Sequence, residues 1–209
     1  MATPRSEPFF PDEIQFLRQG GLFAWKERIT TKIRRTLESL YGELAPRVVP
    51  EQFAAPPGMD FTRWQLVRGE RFHGQPYVYL DFPQYFARDT KFTYRTMVWW
   101  SWGVFFAWIL EGDGLALYRR NLLAAYDRLA DRGVMVSIAD TPWEWRTDVR
   151  HALPVSSATR DAVTAAVRSQ PFLKVQAVLE LDALATGDAV LLSRAVEVFE
   201  QLRPIVARN

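Results

Sequence analysis

The sequence reads as one α+β domain, residues 1–209, with a mostly antiparallel sheet of about six strands packed against about four helices. Three observations carry that reading. Strand-like segments follow one another between residues 61 and 110 with no helical stretch among them. The window Phe92–Leu110 alternates apolar and aromatic side chains and is interrupted by Gly103. Helical apolar spacing lies before this block and again after it, a segregation expected of α+β rather than of a doubly wound sheet.

The first long helix spans about residues 21–45. Leu22, Trp25, Ile29, Ile33, Leu37, Leu40, Tyr41 and Leu44 recur at helical spacing, with Lys26, Arg28, Lys32, Arg34, Arg35 and Glu38 on the other side. Pro46 and Pro50 end it, and Pro11-Asp12-Glu13 starts a shorter turn before it that stops at Gly20-Gly21. Pro56-Pro57-Gly58 marks a loop. A strand over 61–68 and a second over 77–82 follow, joined through Gly69 and Gly74, with Pro83 expected to close the second.

The window 92–110 is the most informative. At period two, Phe92, Tyr94, Val98, Trp100, Trp102, Val104, Phe106, Trp108 and Leu110 share one face, and Arg95, Met97, Trp99, Phe105, Ala107 and Ile109 the other. Gly103 suggests a turn, making this a hairpin of two strands. Its eight aromatics represent on the order of 30–50 kcal/mol of gross burial, an upper bound. Such a hairpin belongs at the sheet centre, covered on both faces by helices, a partner or a ligand. Beyond it come a second amphipathic helix from Leu115 to near Gly133, a short strand over 134–138, and a loop from Asp140 to Arg150 carrying Trp143 and Trp145. A helix capped at Ser157 or Thr159, a half-buried strand over 173–181 with Lys174 and Gln176 on its polar side, and a closing helix after Thr186-Gly187-Asp188 complete the chain.

Composition narrows the function classes. A formal charge of +2, from 26 basic and 24 acidic residues, gives no strong field toward polyanions although the pI is 9.0, so nucleic acid is disfavoured as a partner. With no cysteine, disulfides, thiolate metal sites and cysteine nucleophiles drop out. The most apolar run, Met97–Leu110, is 14 residues long, shorter than the roughly 17–25 needed to span a bilayer. No membrane association, no cofactor and a cytoplasmic location are the expectations. Nucleotide-binding and hydrolase signatures are missing: there is no P-loop, G-x-G-x-x-G, G-x-S-x-G or H-E-x-x-H. His73 and His151 are the only histidines and lack ligand spacing, so no metal site is expected.

The remaining candidates are binding residues; no catalytic residue is identified. Arg95 stands in a strand among Phe92, Tyr94, Met97 and Trp99, where an unpartnered charge would be costly, and Asp81 on the preceding strand is its natural mate. Arg95 is thus either a structural partner of Asp81 or an anion contact in an aromatic pocket. Arg68 and Glu144 are further polar candidates for that pocket, and Trp143-Glu144-Trp145 alternates so that both indoles serve as a core lid or a stacking platform. Ser101, beside Gly103, lacks the first glycine of a nucleophile elbow and reads as a packed strand serine.

The block Arg68-Gly69, Gly74-Gln75-Pro76-Tyr77, Asp81-Phe82-Pro83 and Arg95-Thr96-Met97-Val98-Trp99-Trp100 resembles the central block of a bacterial protein family of similar length and unknown function. The resemblance covers about a third of the chain and implies the hairpin, but no reaction. The leading expectation is therefore a non-enzymatic interaction domain that self-associates as a homo-oligomer through its aromatic sheet. The alternative is a protein, or an enzyme, that binds an anionic small molecule in a pocket lined by aromatics and Arg95.

Overall fold

The computed structural model describes residues 8–208. It is α+β, as the sequence indicates, with one fully antiparallel sheet of seven strands in the order β1-β2-β3-β4-β7-β5-β6. The strands are β1 (Gln65–Phe72), β2 (Gln75–Ala87), β3 (Thr90–Trp99), β4 (Gly103–Glu111), β5 (Met135–Ser137), β6 (Ala152–Pro154) and β7 (Phe172–Leu179). The principal helices are α1 (Pro11–Arg18), α2 (Leu22–Leu44), α3 (Leu115–Ala124), α4 (Tyr126–Leu129), α5 (Arg160–Ser169) and α6 (Ala189–Val206).

The aromatic hairpin is β3 and β4, in register from Lys91↔Glu111 to Trp99↔Gly103, and it occupies the sheet interior between β2 and β7. Phe92, Tyr94, Val98, Val104, Phe106, Trp108 and Leu110 form one face and pack beneath the helices. Those helices contribute Leu37, Leu40 and Leu44 from α2, Tyr118 and Leu122 from α3, and Val198, Phe199, Leu202 and Ile205 from α6. Tyr94 fixes α6 by donating its hydroxyl hydrogen to the Ala195 carbonyl at 2.9 Å.

The opposite face gathers Met97, Trp99, Phe105, Ala107 and Ile109, together with Trp145 from the 140–150 loop. The two sides of the sheet are therefore covered by different means: helices on one, an irregular loop on the other. Among the described residues no helix is long and apolar enough to cross a membrane.

Several sequence expectations need correction. Pro83 does not end its strand: β2 continues to Ala87 because the pairing with β3 shifts between Asp81 and Gln84, and a bulge is where a residue without an amide hydrogen fits. Gly69 lies within β1, and the connection is the tight turn His73-Gly74, both with positive φ. Trp100 and Trp102 belong to the hairpin turn rather than the helix-covered face, and Trp102 stacks on Trp99 across the opposite side at 4.7 Å. Ser101 is in the same turn, exposed and at φ 66°, not in a strand. The helix expected up to Gly133 breaks at Ala125 into α3 and α4. A seventh strand, β6, pairs with β5 just after the 140–150 loop, where the sequence indicates no element. The chain expected to extend β7 to residue 181 instead turns into a 3-10 segment, Leu181–Thr186.

Candidate functional site

The loop-covered face holds the site. Alternation along β2 and β3 sends Tyr77, Tyr79, Asp81, Arg95, Met97 and Trp99 to one side, the side away from the helices. The register pairs Asp81 with Arg95 directly. Arg95 Nε and Nη2 donate to the two Asp81 carboxylate oxygens, each at 2.7 Å, a bidentate fork that leaves Nη1 outside the pair. Gln65 Nε2 donates to the same carboxylate at 2.7 Å from β1. Burial works against the guanidinium charge, but the adjoining Asp81 carboxylate more than offsets it and raises the Arg95 pKa.

Above this pair lies a cavity of about 350 Å³ lined by Gln65, Phe72, Tyr77, Tyr79, Phe86, Arg95, Met97, Trp143 and Trp145. The Arg95 guanidinium carbon stands 3.6 Å from the Tyr79 ring centroid, 5.2 Å from Trp143 and 5.9 Å from Trp145. The cation is thus enclosed by three aromatic faces, a favourable electrostatic contact that also fixes the rings. Tyr77 and Tyr79 lie parallel, with centroids 6.0 Å apart and planes 3° from each other. Gly69 makes this arrangement possible, because a Cβ at that position would come within 2.2 Å of the Tyr77 ring.

The roof is the 140–150 loop. Trp145 is buried and meets Phe105 edge-on at 5.7 Å, whereas Trp143 is partly exposed and faces Phe86 at 6.3 Å. One interaction stiffens the loop from within and another anchors it to the sheet. Glu144 accepts from Arg146 Nη2 at 2.7 Å and Nε at 3.0 Å, and this hydrogen bonding holds its pKa down at about 2. Lys174, rising from β7, donates its ammonium hydrogen to the Glu144 carbonyl and places Nζ 3.7 Å from the Trp145 ring centroid.

Lys174 and Gln176 are the residues that sequence reading most misjudged. Both fall on the polar side of the β7 alternation, yet both are fully buried because that side is roofed rather than wet. Desolvation, followed by repulsion from Arg95, pushes the Lys174 pKa well below its ordinary value. Gln176 Nε2 and Oε1 are buried without a hydrogen-bond partner, as is Thr93 Oγ1 on the same face.

The structure brings together four of the six residues the sequence proposes: Arg95, Trp143 and Trp145 line the cavity, and Asp81 lies directly beneath its floor. Arg68 does not join them. It pairs with Val78 on β2, whose side chain belongs to the helix-covered face, and its guanidinium reaches Glu27 of α2 at 3.7 Å. Glu144 is a loop anchor rather than a lining group, since its carboxylate is engaged by Arg146 and its carbonyl by Lys174. His73 lies in the β1–β2 turn, with Nε2 3.9 Å from Glu144. Among the described residues no cluster of histidine, aspartate and glutamate is arranged to hold a metal ion.

No protein-family model, curated protein or solved structure matches this chain.

Proposed function

We propose that the chain binds a small molecule in the cavity beneath the Trp143–Trp145 roof. The ligand is flat and mostly apolar, and carries one hydrogen-bond acceptor, a carbonyl or a single carboxylate. The observation that carries this reading is the wall composition: seven apolar or aromatic side chains converge on one guanidinium whose Nη1 is not used by Asp81. The volume lies at the small end of ligand sites, which run from about 300 to 1,000 Å³, and suits one or two fused rings.

The charge of the floor sets the ligand class. Asp81 already balances Arg95, so a dianion such as a phosphate meets a carboxylate directly behind the cation. A single acceptor needs only one donor, and the ring faces of Tyr79 and Trp143 supply the rest. Binding without turnover is the simpler assignment, because the neighbouring carboxylates are committed: Asp81 to Arg95 and Gln65, Glu144 to Arg146.

The test is a thermal-shift and calorimetric panel of aromatic carboxylates, their amides and matched aryl phosphates. The expected result is binding of some carboxylates or amides, weaker binding of the phosphates, and a loss of at least about tenfold in Trp143→Ala, roughly one good ring contact. If no member of the panel binds, or if Trp143→Ala binds equally well, this reading fails.

Self-association is the second reading. The aromatic sheet expected to carry it is covered by the chain's own helices and loop. What favours it instead is the exposed apolar set just before and on α1 and in the first two turns of α2, among them Phe9, Phe10, Phe16, Leu17, Phe23 and Trp25.

A further inference from the structure

Helix α1 buries none of its eight residues. Phe9 is 71%, Phe16 54% and Leu17 67% exposed, and the apolar surface continues along α2 through Phe23 and Trp25. A helix this short is marginal in water unless an apolar side is packed against something. Further along α2 a groove of about 540 Å³ opens toward α6, lined by Ile29, Ile33, Leu184 and Leu191 and by the charged Lys32, Arg35 and Asp188. The acidic first turn of α1, Asp12 and Glu13, outweighs Arg18 in its last turn, and Lys32 and Arg35 outnumber Asp188 in the groove, so the two surfaces carry net charges of opposite sign.

We propose that α1 is an exchanged arm, which seats in the α2–α6 groove of a second copy of this chain while the partner arm occupies its own. This inference rests on the self-association reading and names its contact surface. The arrangement is two-fold and closed, so it ends at a dimer. The exposed fractions of Phe9, Phe10, Phe16 and Leu17 amount to on the order of 500 Å² of side-chain surface per arm. The two arms together bring about 1,000 Å² before the groove walls they cover are counted, the order that a specific interface needs. An anionic bilayer fits less well, because the acidic first turn of α1 would face like charge.

Light scattering after size exclusion, at tens of micromolar protein, reads the outcome. The wild-type chain is expected to be a dimer. The arm variant Phe16→Ser/Leu17→Ser and the groove variant Ile29→Ser/Arg35→Glu are each expected to be monomeric, with unchanged circular dichroism. An equimolar mixture of the two variants is expected to regain a weaker dimer, because one intact arm meets one intact groove. Asp12→Lys, a single surface change, should raise the dimer dissociation constant about three- to tenfold. A dimer that persists in both variants overturns the arm assignment and leaves self-association standing. A wild-type monomer overturns both, as does a monomer that instead binds phosphatidylserine vesicles.

Discussion

Removing the roof indole, by Trp145→Ala, is the most informative perturbation of the loop-covered face. Trp145 is 2% exposed, meets Phe105 at 5.7 Å, and lies over the Lys174 ammonium at 3.7 Å. An indole of this kind buries roughly 150–250 Å², or about 4–6 kcal/mol at 25 cal/mol per Å². Measured tryptophan truncations cost about 3–5 kcal/mol once the alanine and local collapse are counted. Part of that loss is offset here, because opening the roof rehydrates the buried Lys174 ammonium. The expected net loss is about 2–4 kcal/mol, or a fall in Tm of about 6–12 °C for a chain of this size. Urea unfolding and calorimetry measure it. A second readout is specific to the mechanism: there are only four lysines, and Lys174 should be the slowest to acetylate in the wild type and gain most in the variant. A stability loss under about 1 kcal/mol, or unchanged Lys174 labelling, would show that Trp145 does not shield this face.

Other expectations follow from the same geometry. Arg95→Gln leaves the Asp81 carboxylate buried without its cation and should cost about 3–5 kcal/mol in urea unfolding, whereas Arg95→Met/Asp81→Leu should recover most of that loss. Glu144 has a folded pKa of about 2 against an ordinary 4.5. Its contribution to stability is therefore complete above pH 4.5 and lost as pH falls toward 2. Glu144→Gln should flatten the acid limb of the stability profile in that window; an identical slope in both proteins argues against the Arg146 tie. Gly69→Ala drives a methyl into the Tyr77 ring and should cost about 1–3 kcal/mol, with weaker ligand binding, as read by unfolding and titration.

Much of the architecture is legible in the residues themselves. The 3.6-residue spacing of α2 and the two-residue alternation around Gly103 each have one dominant physical reading, and both elements stand close to where the sequence places them. The Arg95–Asp81 pair is legible for the same reason: a cation among aromatic neighbours needs a nearby anion, and the register supplies it. What the sequence conceals depends on contacts between distant segments. Lys174 and Gln176 look solvent-facing on β7 because nothing local reveals that residues 140–150 cover them. Arg68 looks like a pocket residue until the pairing with Val78 assigns its face. Gly69 reads as a turn glycine, whereas its function is to leave room for a ring across the sheet. The bulge that carries β2 through Pro83 is likewise a property of pairing rather than of composition. β6, Ala152–Pro154, is too short to show a period of its own.

The central claim is that a ligand enters between the loop indoles and the Arg95–Asp81 floor. Eight tryptophans give eight indole N–H signals in a ¹⁵N-correlated NMR spectrum, two of them from Trp143 and Trp145 in the cavity wall. Titration with an aromatic carboxylate selected by thermal shift is expected to move those two signals first and leave Trp25, Trp64 and Trp108 in place. Movement at Trp25 or Trp64 while Trp143 and Trp145 stay fixed would contradict it.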